Sequence, residues 1–236
     1  MNNILRMFRP FPLLAAAIVT ALSVVAPCLR AQENPAGRPE PAPIPLPASG
    51  IFRKDNLAAW CIVPFDKAKR SPEERAAMLE RIGVRKFVHD YRSEHVPLFE
   101  REILALKKHG IELTGWMFPS SMNAMAESTF ALFEKHEVKP QLWIIKGGGS
   151  VKADSPEDQL KRVQTEVQSL APVAKAAATR GLKIGLYNHG GWFGEPENQI
   201  EIIKGLKNEG LTNVGIVYNL HHGHGHLKDF ETSLKQ

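Results

Sequence analysis

Leu182-Lys183-Ile184-Gly185-Leu186-Tyr187-Asn188-His189-Gly190-Gly191 is a short apolar run that ends in hydrogen-bonding side chains and then in two glycines. A segment of helical spacing, opened by Glu195-Pro196, follows it, and Val214-Gly215-Ile216-Val217-Tyr218-Asn219-Leu220-His221-His222 then repeats the pattern. An apolar run, a polar turn and an amphipathic segment make a βα unit. Working outward, runs of the same form stand at 57–63, 86–90, 111–118 and 141–146, at spacings of about 25 to 35 residues. Six strands are expected, at those four runs and at 182–189 and 214–220.

The helices between them carry their own start and stop signals. Ser71-Pro72-Glu73-Glu74 supplies a capping hydroxyl, a first-turn proline and a carboxylate that bonds back to the cap, and Ser155-Pro156-Glu157-Asp158 repeats the device. Gly83, Gly110, Gly181 and Gly210 stand where helices close in the left-handed conformation. Wholly apolar strands separated by helices imply a parallel sheet covered on both faces, which is a closed barrel or an open doubly wound sheet. No GxGxxG follows the first strand, and Lys146-Gly147-Gly148-Gly149-Ser150 lacks the Walker lysine position. The expected fold is therefore α/β, a TIM-type (β/α) barrel with about six βα units of an expected eight.

The N-terminus reads as an address. Arg6 and Arg9 precede an uncharged run at 13–26, and small residues with Ala31 follow, so residues 1–31 are expected to be a secretory signal peptide. That run is too short to span a bilayer, which needs roughly 18 to 20 residues. Residues 32–50 hold six prolines and read as an extended linker, leaving 51–236 as the domain. The expected location is outside the cytoplasm, periplasmic or extracellular, with no membrane span once the signal is removed. Without Arg6, Arg9 and Arg30 the thirty basic residues fall to twenty-seven against twenty-five acidic ones, so the net charge of +5 becomes +2. That balance gives no reason to expect nucleic acid. Cys61 is then the single thiol, and the domain must be held by its core rather than by a disulfide.

In a barrel, functional groups gather where strands end at their C-terminal edge. The expected ring is His89, Asp90 and Arg92 after strand 2, Trp116 in strand 3, Lys146 after strand 4, Asn188, His189 and Trp192 after strand 5, and Asn219 and His222 after strand 6. Hydrogen-bonding groups among aromatic faces suit a small carbohydrate ligand. His221-His222-Gly223-His224-Gly225-His226 places four imidazoles in six residues, with His222 and His224 as candidate ligands for a weakly bound divalent metal.

From these strand ends the chain, over about residues 55 to 230, resembles the xylose-isomerase-like TIM-barrel family of sugar isomerases, sugar-phosphate isomerases and epimerases. The resemblance implies a metal-binding Glu at the position of Tyr187, a metal-binding Asp at that of Asn219, and a substrate-contacting His at His222. It places two further ligands on strands 7 and 8, so the chain reads as a barrel truncated after strand 6. Exposed barrel edges would then favour self-association. The implied activity is of the isomerase or epimerase type on a small sugar or sugar derivative. His189 and His222 would move protons, Arg92 and Lys146 would orient oxygens, Trp192 would cover the sugar face, and Glu195 would be the base or a helix cap. Two alternatives stay open: a non-catalytic carbohydrate-binding barrel, and a metal-independent lyase or hydrolase on the same scaffold.

Overall fold

The computed structural model describes residues 53–147 and 150–235. The signal peptide expected at 1–31 and the linker at 32–50 lie outside these residues. Six strands hydrogen-bond in chain order, every pair parallel: β1 (Ala58–Ala59), β2 (Lys86–His89), β3 (Glu112–Phe118), β4 (Gln141–Ile144), β5 (Ile184–Tyr187) and β6 (Val214–Val217). Helices α1 (Pro72–Ile82), α2 (Phe99–Lys108), α3 (Ala124–Lys135), α4 (Pro156–Ala178), α5 (Gly191–Gly194), α6 (Pro196–Asn208) and α7 (Phe230–Lys235) fall between or after them. This is the βα alternation of a (β/α) barrel, present in six consecutive units.

All six expected strands form, each inside its apolar run. β1 is much shorter than its run because the chain turns out of the sheet at Cys61, whose φ of 58° no strand residue adopts. The capping signals act as expected at α1, where Ser71 and Glu74 bond reciprocally and Gly83 closes the helix at φ 72°. Ser155 caps α4 through the amide of Asp158. Among the described residues no helix is long and apolar enough to cross a membrane.

Paired residues of a parallel sheet share a face, and successive residues alternate. Trp116, Leu142 and Ile184 are in register, as are Phe118 and Ile144, and all five are almost wholly buried. They face the helices: Trp116 lies edge-on to Phe99 of α2 and Phe133 of α3, and Phe118 meets Phe130 of α3. Each such side chain contributes about 1.5–3 kcal/mol by leaving water. Helix α1 is tied to α2 inside this layer by a bidentate pair, Arg75 Nε and Nη2 to the two Glu102 carboxylate oxygens at 3.0 and 2.9 Å. Both side chains are buried.

The other face of the sheet is narrow and carries different residues. A Cβ on Gly185 would lie 2.3 Å from Val217 Cγ2, and one on Gly115 would lie 3.2 Å from the Trp143 indole. Glycine at these two points leaves room on the inner face for Val217 and Trp143.

Candidate active site

Strand parity decides which of the expected residues meet. On the inner face, at the C-terminal edge, Trp143 and Tyr187 stack nearly parallel, with centroids 5.8 Å apart and an interplanar angle of 12°. Trp60, just past β1, stands edge-on to both at 5.9 and 5.7 Å. Next to this aromatic wall, the His222 ring meets Tyr187 edge-on at 5.7 Å, and the His189 and His222 centroids are 4.3 Å apart. His189 is exposed and His222 partly so.

Tyr187 is fixed by the loop after β6. Asn219 Nδ2 donates to the Tyr187 hydroxyl at 2.6 Å, while Asn219 Oδ1 accepts from the amide of His221. Asn188 spans the same gap in the backbone, accepting from the Asn219 amide at 2.6 Å and donating to its carbonyl at 3.1 Å. Asn188 is buried and bonded through both Nδ2 and Oδ1 to the Asn219 backbone, so it positions the site. Burial pushes the Tyr187 hydroxyl up to about 12, against the opposing bond from Asn219. His222 is held below the ordinary imidazole value by burial first, then by the neighbouring His189, His221 and His224.

Asp90 and Cys61 complete the strand ends near β1 and β2. The Cys61 thiol donates to Asp90 Oδ2 at 3.5 Å, and Asp90 Oδ1 pairs with Arg92 Nη1 at 2.7 Å. Arg92 also holds the Tyr91 carbonyl at 2.7 Å, and its guanidinium lies 5.5 Å from the Phe65 ring centroid. Burial, then the Asp90 charge, pushes the Cys61 thiol up to about 12.

Four expected site residues lie elsewhere, so they do not share one rim with His189 and His222. His89 is the last residue of β2, in register with Trp116, and therefore faces the helices. It is buried among Trp116, Phe99 and Tyr91, with centroids at 4.0, 5.4 and 5.8 Å, and burial lowers its imidazole to about 3. Trp116 is wholly buried in the same layer. Lys146 turns to α4, where it pairs with Glu166 and donates to Ser169 Oγ at 3.0 Å. That cleft, about 580 Å³, shares no lining residue with the aromatic wall. Trp192 is buried, and its indole N–H donates to Gln159 Oε1 at 2.7 Å while Asn198 donates to its carbonyl at 2.7 Å. It anchors α5 and covers no ligand face.

Glu195 stands at the N-cap of α6 but makes no side-chain cap bond; its carboxylate accepts instead from His226 Nε2 at 2.9 Å. That bond raises the His226 imidazole above its ordinary value. Among the described residues, the donor atoms that converge as a metal site would are those of Glu195, Glu197 and His226, not those of His222 and His224. The resemblance-based metal site finds a poor donor set as well. Tyr187 and Asn219 are neutral, bonded to each other, and stand where a hard divalent cation wants anionic oxygen.

Trp60, Cys61, Trp143 and Tyr187 are the site residues that sequence reasoning did not assign. The usable signal was parity: Gln141 and Trp143 alternate with the buried Leu142 and Ile144, so Trp143 faces inward.

Neither a scan of protein-family models nor a search of characterised protein sequences gives a match. Two solved structures do resemble the chain. One is D-psicose 3-epimerase in the presence of D-fructose, at 13% identity and a TM-score of 0.50, matching 70% of this chain and 64% of that one. The other is 3-keto-D-glucoside 4-epimerase from E. coli, apo form, at 14% identity and a TM-score of 0.54, matching 75% of this chain and 72% of that one. The chain thus spans less than two thirds of the length of the first of these enzymes. Six parallel βα units in chain order, together with this likeness, give the chain a (β/α)-barrel fold like that of these two enzymes.

Proposed function

We propose that this chain is an exported protein of the isomerase or epimerase type, acting on a small sugar or sugar derivative at the C-terminal mouth of the barrel. The observation that carries the reading is the His189–His222 pair, 4.3 Å between centroids, beside the wall of Trp60, Trp143 and Tyr187. Aromatic faces bind the apolar C–H faces of a sugar ring. His222, held below its ordinary value, is neutral at pH 7 and free to accept a proton from the carbon next to a sugar carbonyl. Tyr187, wholly buried with its hydroxyl held by Asn219 at 2.6 Å, backs the wall and supports His222 edge-on. His189, exposed and in contact with His222, relays that proton to and from solvent.

A second reading, a carbohydrate-binding barrel without catalysis, is favoured by one observation. Asn219 already occupies the Tyr187 hydroxyl at 2.6 Å. The two readings separate in one experiment. D-fructose and D-psicose are incubated with the protein in D2O; proton NMR follows loss of the C3–H signal, and indole fluorescence follows binding. Catalysis predicts exchange that falls about 100-fold or more in His222→Ala. Saturable fluorescence change without exchange selects the binding reading. Neither exchange nor binding, for these and for 3-keto-glucosides, overturns the proposal.

A further inference from the structure

Away from the aromatic wall, the N-terminus of α6 and the loop after β6 bring together charges that their surroundings do not balance. Glu195 and Glu197 flank Pro196, and His226 closes the short 3-10 turn His224–His226. One donor atom from each of the three lies within 4.8 Å of the others. His226 Nε2 is 2.9 Å from Glu195 Oε2, and on the far side of the ring Nδ1 is 3.6 Å from Asp229 Oδ2. Among the described residues no Lys or Arg pairs with Glu195, Glu197 or Asp229, and the Glu197 carboxylate has no hydrogen-bond or ion-pair partner at all. A single Nε2–H satisfies only one of the two carboxylates that approach it.

Two further features fit a bound cation. Tyr218, the residue after β6, is partly exposed, but its hydroxyl oxygen is buried with no hydrogen-bond partner. That hydroxyl is raised above its ordinary value by burial first, then by the charges of Asp229, Glu195 and Glu197. An open cleft of about 550 Å³, lined by both glutamates, gives access from solvent; Lys152 also lines it but pairs with none of the acidic groups. Ligand atoms around zinc at about 2.0–2.2 Å sit roughly 3–4 Å from one another, so the observed spacing needs only a small contraction. A carboxylate on the outer nitrogen of a ligating imidazole is the usual way such a ring is oriented.

We propose that Glu195, Glu197 and His226 bind one divalent cation of the zinc class, with Asp229 holding the imidazole from behind and water completing the coordination. One nitrogen and two carboxylate oxygens favour zinc over magnesium or calcium, which are held by oxygen alone. Occupancy pins the histidine-bearing loop to the start of α6. The inference is independent of the sugar reading, since none of these residues belongs to the aromatic wall.

Calorimetric titration of the full chain with zinc chloride at pH 7.5 tests it, on the wild type, Glu197→Gln, His226→Ala and a triple variant His221→Ala, His222→Ala, His224→Ala. One zinc per chain is expected in the wild type and in the triple variant. Affinity is expected to fall at least tenfold in Glu197→Gln and beyond measurement in His226→Ala. Glu197 is exposed, so its substitution leaves folding intact and keeps the test decisive if His226→Ala is unstable. Zinc should also raise the melting temperature of the wild type and the triple variant, and raise that of Glu197→Gln by less at the same zinc concentration. Wild-type affinity in Glu197→Gln, loss of binding in the triple variant, or no binding in the wild type overturns the proposal.

Discussion

His89 makes the fold sensitive to acid in a way that can be worked through. Its ring sits between the sheet and α2, its Nδ1 is buried without a partner, and burial, followed by the charges of Arg75 and His95, lowers it to about 3. In the unfolded chain the same imidazole titrates near 6.5. The folded value is the depressed one, so the contribution is fully present above about pH 6.5 and is lost as pH falls toward 3. At about 1.4 kcal/mol per pH unit, His89 alone removes about 2 kcal/mol between neutrality and pH 5, and about 3.4 kcal/mol by pH 4. His89→Phe replaces an unpartnered polar ring by an apolar one in an aromatic nest, and should be at least as stable as the wild type at pH 7.5. Urea unfolding followed by circular dichroism, in steps from pH 7.5 to 4, gives both curves. Their difference cancels the carboxylates common to both proteins and isolates His89. A difference that stays flat from pH 7 to 5 would refute the reasoning, because it would mean that the protonated ring is accommodated in the native state.

Two other perturbations probe the scaffold. Glu102→Ala should destabilise by about 3–5 kcal/mol by leaving Arg75 charged and buried, whereas Arg75→Met with Glu102→Leu should recover most of that loss; denaturant midpoints decide. Gly185→Ala drives a methyl into Val217 and should cost about 1–3 kcal/mol, with a change in indole fluorescence as Trp143 and Tyr187 shift; an unchanged midpoint and spectrum would show that the inner face is not tightly filled.

The order of elements was legible because buried parallel strands are written as continuous apolar runs between glycine stops and capping boxes. The same continuity hid the faces. In a strand such as Ile184–Tyr187, buried at every position, hydropathy does not alternate, so sequence cannot say which end residues point inward. His89 and Asp90 differ by one position and so face opposite sides, and only the register of His89 with Trp116 reveals it. Trp192 follows two glycines, as a loop residue would, but its partner Gln159 lies 33 residues away on α4. The Glu195–His226 bond closes a similar gap of 31 residues, which no local spacing announces.

Cys61 has a consequence for reactivity. Nucleophilic attack, alkylation and disulfide exchange all proceed through the thiolate. With its thiol pushed up to about 12 by burial and by Asp90, Cys61 presents only about one thiolate in 100,000 molecules at pH 7. The one cysteine among the described residues is therefore slow to cross-link copies of the chain and slow to react with peroxide. A carboxylate 3.5 Å from the sulfur acts as its protecting group, and a chain so protected can reside in an oxidising compartment with its thiol intact.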